Sequence, residues 1–321
     1  MIESSPRILN VYSESKKSMS STLDITILHD RNLPDEAKCL IQLGYDEANR
    51  LINIISAWQE GTELFCVNQQ AGIKPVKVGD ELFYLVKRSL KLSILTDGLF
   101  DVTFASIDKI WYFDKPLVEK PSDDKIKASI KNINYEFIEL DEQNKTIFIR
   151  NRGTKIELGA IGKGYIANKI KAKLISLGID SGLVNAGGDL VSWGKSIHPD
   201  GIWKVGIADP NKNTDYIGWL PIQNEAIATS GNYERFALID GKRYSHIINP
   251  KTGYPVKGIK SVTVLSPDPE LCDVMATSIF LMGRKKGLDF ANNFNDIRCF
   301  IVDDNGDYYY SDNLEKRYYQ K

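Results

Sequence analysis

Two side chains near the C-terminus, Asp273 and Thr277, stand four residues apart in "CDVMATSIFLMG". On a helix that spacing puts both on one face. One carboxylate and one hydroxyl there offer two hard oxygens, the donor type that a magnesium ion takes. The same pair also suits an acid decorating a helix beside a packed threonine, so spacing alone leaves both roles open. A second concentration of chemistry is "IELGAIGKGY", residues 156–165, where Gly159, Ala160, Gly162 and Gly164 surround Lys163. Bare backbone beside a lysine is a phosphate-binding composition. A Walker loop, G-x-x-x-x-G-K-[ST], is excluded, because Gly159 and Gly162 are too close together and Gly164, not a hydroxyl, follows the lysine. "GKGYIA" does fit the dinucleotide fingerprint G-x-G-x-x-[GA], and Asp189 falls near the place of a ribose-binding acid. Against that reading, the cluster lies mid-chain and no series of strand–helix units follows it. A tight strand-to-helix turn that needs glycine is the plainer alternative. His246, one of 3 histidines, precedes an Asn-Pro-Lys-Thr-Gly turn, and its ordinary pKa suits proton transfer as readily as a structural role.

The elements that must position these groups follow from periodicity. "TLDITIL" (22–28) alternates as a strand, and Pro34 opens an amphipathic helix running to about Trp58. A second helix is expected over Glu81–Leu95, then a hairpin across "YEFIEL-DEQN-KTIFIR" and a strand at "TKIEL" (154–158). After the glycine cluster, Tyr165 to Leu177 reads as a helix stopped by Gly178. "SGLVNAGGD" reads as a buried strand ending in a glycine turn, and strands are expected at 203–208 and 225–229. "RFALI-DG-KRYSHII" is a hairpin with an Asp-Gly turn. Strand 259–265 leads into a helix from about Glu270 to Met282, followed by a further helix and a terminal hairpin around "DDNGD". Strand pairs and helices mix without strict alternation, which points to an α+β fold of mixed or antiparallel sheets with packed helices.

Composition narrows the function classes. The 321 residues are 42% hydrophobic, 26% charged and 10% aromatic, enough for a substantial core. A formal charge of −1 lacks the basic excess of a general nucleic-acid or anionic-membrane surface. The N-terminus has no secretory leader pattern, and no run approaches the roughly 18–20 apolar residues of a spanning helix. Cys39, Cys66, Cys272 and Cys299 show no CxxC spacing and suit reduced thiols. The chain as written therefore reads as cytoplasmic; a start further upstream would place it in the periplasm or at a membrane.

Seven segments occur in order: "TDGLFDVTFASIDKIWYF", "ELGAIGKGY", "LVNAGGDLVSWG", "WKVGIADP", "AIATSGNYERF", "YSHIINPKTGYPV" and "CDVMATSIFLMG". Together they resemble the FAD:protein FMN transferases, the ApbE flavin-transferase family, from about Met19 to the C-terminal helices. That extent sets residues 1–18 apart as an N-terminal extension and 19–321 as the transferase domain. The resemblance implies Mg²⁺ and transfer of FMN from FAD, through a phosphoester bond, to a Thr or Ser hydroxyl, releasing AMP. The acceptor would be a flavoprotein or redox-complex subunit with a flavinylation motif of the Asp-x-x-Ser/Thr-Gly-Ala-Thr kind.

It implies metal ligands at Asp273, Thr277 and the carbonyl of Gly162. It implies FAD contacts at Met19, Trp58, Leu99, Phe100, Asp101, Gly159, Tyr165 and Ile247. His246 and Asp273 are the implied catalytic residues, with Asp189 a competing base or an outer orienter. The helix after Lys163 would point its amide end at phosphate. This chain departs from the family pattern at Glu157, where Asp is commoner, at Leu99 and Val102, and after Met19, which usually precedes Gly-Thr. Two other functions fit the same site: an FAD pyrophosphatase, in which water attacks, and a non-catalytic FAD binder.

Overall fold

The computed structural model describes residues 8–113, 119–209, 216–232, 236–239 and 242–314. The N-terminal half contains strands β1 (Leu9–Ser18), β2 (Ser21–Asp30), β3 (Val76–Lys77), β4 (Ile138–Asp141) and β5 (Thr146–Ile149). Next come β6 (Gly182–Ala186), β7 (Asp189–Trp193), β8 (Trp203–Ala208), β9 (Tyr216–Ile222) and β10 (Ala226–Gly231). The remaining strands are β11 (Phe236–Ile239), β12 (Lys242–Ser245), β13 (Ile259–Ser266), β14 (Arg298–Asp303) and β15 (Tyr308–Tyr310). The helices are α1 (Pro34–Ile55), α2 (Glu63–Gln69), α3 (Asp80–Leu95), α4 (Asp123–Ser129), α5 (Gly159–Ser176), α6 (Pro269–Met282) and α7 (Arg284–Ala291).

Eight strands form one antiparallel sheet in the order β1-β2-β6-β7-β10-β13-β14-β15. Alternation along each strand gives the sheet two apolar faces. Ile25, Val184, Val191, Ala228 and Val264 face α1, α5 and α6 in the main core. Ile227, Leu265, Phe300 and Val302 face the opposite way, under the separate β8–β9 ribbon that contributes Ile207, Leu220 and Ile222. The architecture is α+β, as expected. Residues 9–18, set apart as an extension in the sequence, form β1, which pairs with β2 from Leu9↔Asp30 to Ser18↔Ser21.

Two expectations fail around the glycine cluster. Residues 154–158 form no strand. Side chains and a loop carbonyl take the place of a ladder partner: Asn68 binds both the N–H (2.8 Å) and the carbonyl (2.9 Å) of Ile156. The Glu157 N–H donates to the Val102 carbonyl (2.9 Å) and the Lys155 N–H to the Ser106 hydroxyl (2.7 Å). The helix also begins earlier than Tyr165, at Gly159, so it contains the glycines instead of following them. Glycine lowers intrinsic helix propensity, but close packing against neighbouring helices needs its missing Cβ here. The first helix ends at Ile55, leaving Trp58 in the turn beyond it. The Asp-Gly turn expected at 240–241 lies outside the described residues; β11 and β12 on either side of it pair as expected.

Candidate active site

The centre of the site is the crossing of α5 and α6. Asp268 caps α6, its carboxylate accepting the N–H groups of Glu270 (3.1 Å) and Leu271 (3.2 Å). Pro269 opens the first turn. One turn on, Asp273 is buried. Gly164 on α5 makes the contact possible, since a Cβ there would stand 2.3 Å from the Pro269 carbonyl oxygen. With the helices this close, the Gly164 N–H donates to the Asp273 carboxylate. The Asp273 Oδ2 atom has no hydrogen-bond partner among the described residues.

Facing Asp273 is Asp189, also buried, at the start of β7. Gly187 (φ +63°) and Gly188 (φ +97°) form the two-residue turn from β6, a left-handed pair that glycine allows. The Gly188 N–H is held by Asn185 Oδ1 at 2.8 Å. Lys163 Nζ lies 2.5 Å from Asp189 Oδ2. Burial, with the opposed Asp189 charge, pushes Asp273 well above the usual carboxylate range against the pull of Lys163. Burial raises Asp189 too, again opposed by Lys163. Two acids and one lysine leave this centre short of positive charge.

Thr277 stands on the same face of α6 as Asp273, as its spacing requires, and its Oγ1 lies 3.0 Å from the Oγ of Ser230 on β10. Sequence reasoning missed Ser230. The signal was its strand parity: Ala226 and Ala228 face the helices, and the next residue on that face is Ser230. Small residues there leave room for α6 to approach.

These groups line a cavity of about 430 Å³, which also takes in Leu99, Phe100, Asp101, Glu157, Gly159, His246 and Ile247. The wall at 99–101 hangs from the end of α3, where the Thr96 hydroxyl receives the Phe100 N–H (3.1 Å). Asp101 braces its own loop: Oδ1 accepts the N–H (2.8 Å) and hydroxyl (2.6 Å) of Thr103, and Oδ2 accepts the Tyr135 N–H (3.0 Å). Burial still leaves it above its ordinary value, with those bonds opposing. The opposite wall is the turn after β12, where the Ser245 hydroxyl accepts the Ile247 N–H (3.0 Å). Phe113 packs edge-on to His246, with centroids 6.5 Å apart. An ion pair, Lys251 Nζ to Asp97 Oδ2 at 2.5 Å, ties the two walls together.

A second cavity, about 560 Å³, adjoins the first through Glu157, Gly159 and Lys163, which line both. Met19, Trp58 and Gly162 line this second space. Trp58 is 65% exposed, a ring face available for stacking. Met19 and Ser20 make the β1–β2 turn with φ of 51° and 59°. Glu157, noted in the sequence only as a departure, curls over Gly159 and accepts its N–H, and burial raises its pKa above the ordinary 4.5. Gly162 lines the second cavity, Asp273 and Thr277 line the first, and Lys163 beside Gly162 lines both. Tyr165 lines neither; its ring is buried and its hydroxyl donates to Glu81 (3.4 Å).

The residues present fit a magnesium ion. A buried carboxylate oxygen with no partner among the described residues, a second acid and a hydroxyl are hard donors in a centre where two acids face one lysine. Among the described residues no group of three or more His, Cys, Asp or Glu side chains is placed to hold a metal unaided. An ion here would draw further ligands from hydroxyl, backbone, water or substrate oxygens, as magnesium commonly does. No helix among the described residues is long and apolar enough to cross a membrane.

Comparison with known proteins bears directly on this site. The FAD:protein FMN transferase of Klebsiella pneumoniae is 30% identical over 300 residues, covering 92% of this chain and 90% of that protein. The one from Treponema pallidum is 30% identical over 265 residues, 78% of this chain and 73% of its own. The crystal structure of the Thermotoga maritima ApbE protein superposes with a TM-score of 0.85 at 27% identity, covering 97% of this chain and all 100% of that one. The flavin transferase ApbE from Vibrio cholerae gives 0.82 at 27% identity, over 95% and 98% of the two chains. The family model described as ApbE matches residues 19–301. The chain belongs to the ApbE family.

Proposed function

We propose that this chain is a magnesium-dependent FAD:protein FMN transferase that moves FMN onto a Thr or Ser hydroxyl of an acceptor protein and releases AMP. The observation that carries the reading is the convergence of Asp273, Asp189, Lys163 and Thr277 in one cavity. It is supported by a chain that spans 90% of a relative named for the transfer. The acceptor's hydroxyl oxygen bonds to the FMN-side phosphorus. The bond from that phosphorus to the bridging oxygen breaks, and AMP leaves with the bridging oxygen. The hydroxyl proton passes to a base at the cavity, for which Asp189, His246 and Asp273 are the available groups.

Lys163, between the two cavities, brings a cation to the pyrophosphate. Asp273, Thr277 and the Gly162 carbonyl would hold magnesium, which when bound supplies the positive charge that neutralises the phosphoryl oxygens. Leu99, Phe100, Asp101, Gly159 and Ile247 wall the flavin dinucleotide, and Met19 and Trp58 extend its binding surface.

Intact-mass spectrometry tests the proposal. The chain is mixed with FAD, Mg²⁺ and an acceptor domain carrying the Asp-x-x-Ser/Thr-Gly-Ala-Thr motif, with the last Thr replaced in the control. An FMN-sized gain on the acceptor, absent in the control and in EDTA, is the expected result. AMP and free FMN without an adduct would identify a pyrophosphatase, and FAD left intact would identify a binder.

A further inference from the structure

We propose, building on the transferase reading above, that Ser230 is a substrate-binding residue: its hydroxyl takes the proton of Thr277 and donates its own to a pyrophosphate oxygen of the dinucleotide. Helix α6 carries two successive hydroxyls with different outlets. Ser278 donates to the Val274 carbonyl one turn back, at 2.8 Å, the usual local bond of a helical hydroxyl. Thr277 reaches across to β10 instead, to Ser230 at 3.0 Å. Among the described residues neither of these two hydroxyls has another hydrogen-bond partner.

Two hydroxyls hold two protons, and the bond between them uses one. A hydroxyl that offers its lone pairs to a cation must hand its proton to a different acceptor. Ser230 Oγ is the acceptor within reach of Thr277. Ser230 then retains a proton of its own with no acceptor among the described residues, on a side chain that lines the same cavity as Lys163 and the Gly187–Gly188 turn. The group that satisfies it is an anionic oxygen of the substrate. A hydroxyl donating to a charged phosphoryl oxygen is among the stronger hydrogen bonds.

The backbone behind Ser230 is fixed. It pairs with Val262 in the centre of the sheet, and the neighbouring Thr229 hydroxyl meets that of Thr263 at 2.9 Å. The donor is therefore held in place before substrate arrives.

The full chain is titrated with FAD and, separately, with riboflavin, which has no phosphate, following flavin fluorescence in EDTA and in Mg²⁺. Ser230→Ala is expected to weaken FAD binding about tenfold, the scale of a hydrogen bond to a charged group, and to leave riboflavin binding and the apo melting temperature unchanged. Ser230→Thr, which keeps the hydroxyl, is expected to recover most of the loss. Wild-type affinity for FAD in Ser230→Ala, or an equal loss for both ligands, overturns the assignment of Ser230 while leaving the transferase reading intact. Failure of the unmodified chain to bind FAD overturns both.

Discussion

Buried carboxylates shape the electrostatics of the cavity and the pH dependence of stability. Asp273 accepts the Gly164 N–H, bonds to a second acid, Asp189, and its buried Oδ2 has no partner among the described residues. Asp273→Asn keeps the shape and removes the charge, so transfer is expected to fall on the order of 10²–10³-fold, as when a preorganised electrostatic group is lost. AMP release, assayed with and without Mg²⁺, measures this; a variant with unchanged Mg²⁺-dependent release would remove Asp273 from the mechanism.

Glu157 makes a second test at the same scale. Its pKa is raised by burial, with only the Gly159 N–H acting the other way. The folded state therefore holds this proton more tightly than the unfolded chain does. Below the ordinary value of 4.5 both states are protonated and the group is neutral to stability. As pH climbs from there through the raised folded value, stability is lost, and above it the penalty is complete. Glu157→Gln keeps an acceptor for the Gly159 N–H without the charge, and is expected to melt higher than the parent at pH 8 but equally at pH 4. Parallel melting curves at both pH values would refute the cause assigned to the shift.

At the scale of elements, glycine spacing in α5 sets how near the helices come. A Cβ at Gly164 would sit 2.3 Å from the backbone oxygen of Pro269, and backbone cannot move aside cheaply. Gly164→Ala is expected to cost about 1–3 kcal/mol by overpacking, and to reduce transfer beyond that loss because Asp273 rides on the displaced α6. Urea unfolding alongside AMP release separates the two effects. The β1–β2 turn offers the opposite substitution. Ser20 holds φ 59°, a conformation unfavourable for an L-residue by roughly 1–2 kcal/mol. Ser20→Gly removes that strain and is expected to stabilise by up to about 1 kcal/mol, part of the relief being offset by chain entropy. A melting temperature that falls instead would show that the Ser20 side chain stabilises the turn.

The two substitutions also mark what was legible in the sequence. The i, i+4 pair on α6 was, because helical periodicity fixes which residues share a face. The 154–158 run was not, because "TKIEL" has strand composition, yet Asn68, 88 positions away, binds both backbone groups of Ile156. The resemblance implies a cofactor contact at Tyr165, whose hydroxyl donates to Glu81 and whose ring lines neither cavity.

At the scale of the whole molecule, the site is assembled from both ends of the chain. Met19 belongs to the first hairpin and Thr277 to a helix near the C-terminus, and the hairpin strands β1 and β2 share one eight-stranded sheet with β10 and β13, on which that helix packs. The strands β10, β13 and β14 each present one side to the main core and the other to the core under the β8–β9 ribbon, so neither core unfolds without exposing the other. No sequence segment reveals that coupling, since it depends on strand order in the sheet and the chain skips from β7 to β10 and from β10 to β13.

The coupling has a measurable consequence. A ligand that binds only the folded chain stabilises it by about 2.7 kcal/mol at 100 times its dissociation constant. Unfolding entropy near 2.1 cal/mol/K per residue, over 321 residues, converts this to a rise of roughly 4 °C. FAD is therefore expected to move one single calorimetric transition upward by that amount, with amide protection gained together in α5, α6 and the 99–101 wall. Two transitions, of which FAD shifts one, would mean that the ribbon-side core melts independently and that the site depends on the helical side alone.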